Sequence, residues 1–243
     1  MASYVLVFLI TFGATFLQTS IGFGFAVFSM VFLHRLFPYG EAIALCQAFA
    51  AVNTIFIAIR YYQHIQWRVM VPLLIPSVLL GITFTLFSYA VEVRYLKAML
   101  GLVLIVLALY MIRYASKVQV KPSVRTGFLM GSITGIGNGL FGIGGPPAVL
   151  YLLPATSGKL AYLATSQAYF SINNLTNLST RMLQGDIHVQ NYSYLFAGWI
   201  GVAAGVAFGL LAFNHMKAEV LKKCIYAFVG INGLWIMLQE LIR

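Results

Sequence analysis

Eight apolar runs constrain this chain more than any other feature. They lie at roughly 3–33, 42–59, 69–90, 95–112, 126–153, 160–180, 193–213 and 220–239 of its 243 residues. Most are close to 20 residues long, and a helix of that length rises about 30 Å, the thickness of a bilayer's hydrocarbon core. Charged residues make up only 8%, against about 25% in an ordinary globular domain. So few charges cannot cover a soluble domain of this size. A soluble enzyme, a disordered chain and a secreted disulfide scaffold are therefore excluded. Strands of a membrane barrel alternate in polarity, and these runs do not. The chain reads as an all-α polytopic membrane protein.

The net charge of +10 comes from 15 Lys+Arg against 5 Asp+Glu. The basic residues stand between the apolar runs, as positive-inside loops require, so no nucleic-acid partner is expected. Cys46 and Cys224 fit neither a metal spacing nor a disulfide framework, and no cofactor or metal is expected. Met1-Ala2-Ser3-Tyr4 has no basic n-region, so the first run is expected to be a retained membrane segment.

Runs 3–33 and 126–153 are too long for one simple span, and each is interrupted by glycine. The first carries Gly22-Phe23-Gly24. The second carries Gly135, Gly137, Gly139, Gly142, Gly144, Gly145, Pro146 and Pro147. With an offset of 120 residues, Gly22 falls on Gly142, Gly24 on Gly144 and Gln18 on Asn138. Gln47 falls on Gln167 and Asn53 on Asn173. Matches on glycines and amides are not what an apolar background supplies by chance. The chain divides into an N-terminal transmembrane repeat, 1–115, a basic cytoplasmic linker, 116–125, and a C-terminal transmembrane repeat, 126–243. Each repeat has about four hydrophobic segments and opens on a broken or re-entrant glycine-rich helix. Internal repeats are common in secondary transporters.

Charge favours inverted over parallel repeats. If each long run returns to the side it entered, each half makes three crossings. One side then collects Arg60, Arg68, Arg113, Lys117, Lys121, Arg125, Lys159, Lys217, Lys222 and Lys223. The other has Arg35, Arg94, Lys97, Arg181 and Arg243. That lopsided division suits the positive-inside rule; single crossings of the long runs divide the charges almost evenly.

Gly142-Ile143-Gly144-Gly145-Pro146-Pro147 reads as a non-helical break followed by a half-helix starting near Pro146, since proline suits a helix's first turn. Unpaired backbone N–H groups at membrane depth cost several kcal/mol each in lipid, so the break should face a cavity or ligand. A helix N-terminus offers free donors and a partial positive charge, which suits a small anion. The expected substrate-binding residues are Gln18, Gly22, Gly24, Gln47, Asn53, Asn138, Gly142, Gly144, Gly145, Pro146, Gln167 and Asn173. The competing reading is tight helix packing, which does not require Gly-Gly-Pro-Pro. Gln167 and Asn173 stand about 240° apart around a helix, so one should line the path while the other bonds a neighbour. Glu41 is the candidate for proton coupling. Arg181 is expected to be a snorkelling interface residue, and Asp186 a solvated interfacial charge.

Ile21-Gly22-Phe23-Gly24-Phe25 and Phe141-Gly142-Ile143-Gly144-Gly145-Pro146-Pro147, followed by Gln47-Ala48 and Gln167-Ala168, resemble the TauE/SafE sulfite exporter family over nearly the whole chain. Ala26-Val27-Phe28-Ser29-Met30 stands where the family pattern has a proline and a further glycine. The resemblance implies a multi-pass carrier in a bacterial inner membrane for sulfite, an organosulfonate or a related small anion, driven by protons or membrane potential. The residues alone leave open an anion-selective channel, a carrier of non-sulfur carboxylates and a homo-oligomer.

Overall fold

A computed structural model describes residues 2–113, 121–188 and 192–215. The eighth apolar run, 220–239, and much of the basic linker lie outside these residues. The described residues are helical, with no strand: α1 (Ala2–Ile21), α2 (Phe25–Leu36), α3 (Tyr39–Arg60), a single 3-10 turn (Tyr62–His64), α4 (Trp67–Ser88), α5 (Val93–Arg113), α6 (Val124–Phe141), α7 (Gly145–Ala155), α8 (Lys159–Leu183) and α9 (Tyr192–His215). Among the described residues, four stretches are long and apolar enough to cross a membrane: Ser3–Ser20, Tyr39–Arg60, Trp67–Ser88 and Tyr192–Leu211.

Both over-long runs are interrupted at glycine. The first stops at Ile21, turns through Gly22 and Gly24 at φ 94° and 112°, and resumes at Phe25. These are left-handed conformations that glycine alone adopts without steric cost. The second stops at Phe141, turns through Gly142 at φ 69°, and resumes at Gly145 with two prolines in its first turn. In both cases the second helix folds back along the first. Phe28 and Phe32 of α2 face Leu6, Leu9 and Ile10 of α1 across a shared apolar recess. Tyr151 of α7 packs on Gly127 near the start of α6. That start is fixed by a capping box, in which Ser123 Oγ accepts from the Thr126 N–H at 3.1 Å.

The second break is shorter than the sequence suggested. Gly135, Gly137 and Gly139 belong to the same glycine-rich run, yet all three are helical. Gly131, Gly135 and Gly139 recur every four residues, so they form one stripe along α6. That stripe lies on the backbone of α4, where added Cβ atoms would come within 2.2 Å of Leu73 O, 2.5 Å of Ser77 O and 2.6 Å of Gly81 O. Here the packing reading holds. Gly201, Gly205 and Gly209 do the same for α9 against Phe8, Phe12 and Phe16 of α1.

These contacts set directions. Residue numbers rise together along α1 and α9, and along α4 and α6, so each pair is parallel. The central pair, α3 with α8, is antiparallel. Gln66, just beyond α3, donates its N–H to Thr165 Oγ1 near the start of α8 at 2.9 Å, whereas Gly40 at the start of α3 touches Asp186 beyond the end of α8. The larger apolar core is built from α1, α2, α3, α5 and α9, and a smaller one from α4, α7 and α8.

Candidate functional site

The two glycine turns meet. A Cβ on Gly145 would lie 3.6 Å from Phe23 Cβ, and the tips enclose a cavity of about 40 Å³. At 10–15 Å³ for each water-sized centre, that is room for roughly three waters or one compact ion. Its wall takes Gly24, Phe25, Ala26 and Val27 from the start of α2, and Gly144 and Gly145 from the start of α7. Gln18, Thr134, Asn138, Tyr169, Asn173 and Asn174 supply its polar side chains, and among the described residues no charged side chain lines it.

Seven of the twelve expected residues line this space: Gln18, Gly24, Asn138, Gly142, Gly144, Gly145 and Asn173. Gly22 and Gln167 stand directly behind them. Gln167 Nε2 donates to Gly22 O at 3.0 Å, and Gln18 Nε2 donates to Gln167 Oε1 at 3.2 Å. Asn53 accepts from Thr19 Oγ1 at 3.4 Å, away from the cavity. Gln47 is 1% exposed, with both amide atoms unpartnered. Pro146 is buried in the first turn of α7. On α8, Asn173 lines the cavity and also bonds Ser77 of α4, while Gln167 bonds Gln18 and Gly22 behind it, so lining and bonding a neighbour are not divided between the two residues. Glu41 sits in the first turn of α3, partly exposed and off the cavity wall.

Sequence reasoning passed over Thr134, Tyr169, Phe170, Ala50 and Asn174 as lining residues. Helical spacing could have found two of them, since Thr134 and Tyr169 stand one turn before Asn138 and Asn173. Tyr169 donates to Ser77 Oγ at 2.7 Å, and Ser77 donates to Asn173 Oδ1 at 2.7 Å. Asn173 Nδ2 donates in turn to Tyr169 O at 3.0 Å. That network fixes the Asn173 amide against the wall. Asn138 also lines the cavity, and Gln18 Oε1, on the same wall, has no hydrogen-bond partner among the described residues.

Donor supply differs between the two helix starts. The first N–H groups of any helix have no partner within it. In α7 the residues following Gly145 are Pro146 and Pro147, which carry no N–H. The start of α2 carries Phe25, Ala26 and Val27, all with N–H groups. The start of α2 therefore offers more free backbone amides than the start of α7.

Arg181 and Asp186 also depart from expectation. The Arg181 side chain is 1% exposed and pairs with Asp186 at 3.0 Å; Asp186 is 15% exposed. Neither snorkels into solvent, because Arg181 is held inward by Gly139 O at 2.8 Å.

Long apolar helices, with two folded-back glycine turns bordering a small polar cavity, define a multi-pass membrane protein. A family model, Sulfite exporter TauE/SafE, matches residues 7–236. The chain belongs to that family, which is one of membrane transporters. No curated protein and no solved structure matches it significantly.

Proposed function

We propose that this chain is a secondary carrier that moves a small oxyanion, such as sulfite or an organosulfonate, out of the cell across a bacterial inner membrane. The observation that carries this reading is the meeting of two helix N-termini in one cavity that no charged side chain of the described residues lines. Each N-terminus contributes roughly half a positive charge. Two of them facing one low-dielectric space repel each other until an anion lies between them. Gln18, Asn138, Asn173 and Asn174 orient the anion as neutral donors. A site without a cationic side chain selects for negative charge and still releases it.

The two turns are re-entrant loops, and the halves are inverted repeats. The 12-residue α2 and the 11-residue α7 extend about 18 and 17 Å, each roughly half a bilayer, which suits tips meeting near midplane. The contacts are consistent with a pseudo-two-fold exchange. Each half's first helix packs on the other half's fourth, as α1 on α9 and α6 on α4, while α3 and α8 cross antiparallel at the centre. Rocking of the halves about α3 and α8 then opens the site to each side in turn.

Uptake of labelled sulfite, sulfoacetate and a non-sulfur carboxylate into proteoliposomes, with and without a pH gradient, tests the reading. Saturable flux with counterflow of a sulfur oxyanion is expected. Flux that neither saturates nor shows counterflow would identify a channel, and preference for the carboxylate would move the substrate class.

A further inference from the structure

Groups from four elements converge on one guanidinium at the end of α8. Arg181 Nη1 donates to Asp186 Oδ2 at 3.0 Å, and Nη2 donates to Gly139 O, in the last turn of α6, at 2.8 Å. Tyr89, just past α4, donates its hydroxyl to the same Asp186 oxygen at 2.5 Å, and its ring lies 5.9 Å from the guanidinium carbon. Burial, with the Asp186 contact adding to it, holds the Tyr89 phenol above its ordinary value, so it remains a donor. Gly40, at the start of α3, lies so close that a Cβ there would be 2.5 Å from Asp186 Oδ1. Beside this cluster, Tyr39 donates to Leu140 O at 3.0 Å. Arg181 and Tyr39 therefore cap the carbonyl end of α6, immediately before the Gly142 turn.

The cluster stands between the cavity and one face of the molecule. Asn174 lines the cavity, and Arg181 follows it by two turns of α8, about 10 Å. While the pair is closed, the end of α8 is tied to α3, α4 and the α6 tip together. The two partners are unequal. Asp186 is near the surface, in the segment beyond α8, and can return to water. Arg181 is almost fully buried, and its Nε already lacks a partner. Removing the carboxylate alone would leave a buried, uncompensated charge, a strongly unfavourable state.

We propose that Arg181 and Asp186 are the gate on this face, and that the passenger opens it: the oxyanion takes the place of Asp186 on the guanidinium. A guanidinium binds any oxyanion through parallel N–H donors, so Asp186 and the solute compete for one partner. Asp186 then swings to water, the end of α8 leaves Tyr89 and Gly40, and the cavity opens. An empty carrier stays shut on this face. This rests on the carrier reading of the cavity.

The test uses the full chain carrying Cys46→Ala, Cys224→Ala and Ala50→Cys, at a cavity-lining position with no role in binding the anion, in vesicles of known orientation, with a membrane-impermeant thiol reagent added to either face. In the parent, sulfite should raise labelling from the Asp186 face several-fold. Gly40→Ala, which displaces the carboxylate sterically, and Asp186→Asn, which removes its charge, should each raise it at least five-fold without sulfite. Labelling from the opposite face should not rise. Unchanged labelling in both variants, or an equal rise from both faces, overturns the gate. A parent insensitive to sulfite overturns opening by the passenger. Failure of the carrier reading appears separately, as absent saturable uptake with the labelling asymmetry intact.

Discussion

Gln47 is buried on α3 with neither amide atom partnered. An unsatisfied buried polar group costs about 1–3 kcal/mol, so Gln47→Leu should raise thermal stability in detergent by about 1 kcal/mol. Gln167, 120 residues later, has its amide tied to Gln18 and Gly22. If Gln47 makes the matching contacts to Asn138 and Gly142 only when the cavity opens the other way, Gln47→Leu will lower uptake while stabilising the fold. A variant that is stabler and fully active would make Gln47 a packing residue. The tip glycines divide along the same line. At Gly144 a Cβ would lie 2.7 Å from Thr134 Cγ2 and 2.9 Å from Thr134 O. Gly144→Ala must shift the α7 start away from the cavity, and uptake should fall at least ten-fold with insertion intact. At Gly24 a Cβ meets nothing within 4 Å, but φ is +112°. Gly24→Ala should cost about 1–2 kcal/mol of backbone strain, read as a lower thermal midpoint, with a smaller loss of uptake.

At the scale of elements, glycines serve two purposes that the sequence does not separate. Gly135 and Gly139 lie in the same glycine-rich stretch as Gly142 and Gly144, yet the first two lie within α6 and the last two at its end. Their four-residue spacing marks a helix stripe, but only the position of α4 shows that the stripe is needed. Gly135→Ala would place a Cβ 2.5 Å from Ser77 O, and backbone cannot yield as a side-chain tip can. Folded yield and thermal stability should fall by several kcal/mol, with transport per folded molecule less affected than by Gly144→Ala; size-exclusion profiles alongside uptake check this. The breaks themselves were legible, because Gly-Phe-Gly and Gly-Gly-Pro-Pro cannot continue a helix. So were Gln18, Asn138 and Asn173, through the 120-residue match. The aromatic wall, Phe23, Phe25, Tyr169 and Phe170, was not, since 15% aromatic content hides which rings face inward. The burial of Arg181 was also illegible. Its partners, Gly139 O, Asp186 and Tyr89, come from three separate parts of the chain.

At the scale of the molecule, the antiparallel crossing of α3 and α8 sorts the loops between two faces. The turn after α3 shares a face with the α7–α8 loop, where the Gln66 and Ser157 side chains touch. The segment after α8 shares the opposite face with the α2–α3 junction and with Tyr89. Arg60, Arg68, Arg125 and Lys159 lie at helix ends on the Gln66 face; Arg35, Arg94 and Lys97 lie toward the Asp186 face. Arg181 also lies on that side, but it is buried against a carboxylate and adds little to the charge that retains a loop. The bias toward the Gln66 face is therefore stronger than a count of residues suggests, and that face should be cytoplasmic. Gln63 and Leu183 are both exposed and 120 residues apart, the offset that relates the two proposed halves. Inverted halves put them on opposite sides of the membrane, and parallel halves put them on the same side. Single cysteines there, on a chain without Cys46 and Cys224, should label from inside for Gln63→Cys and from outside for Leu183→Cys. Labelling of both from one side would end the inverted arrangement and the two-fold exchange of halves proposed from it.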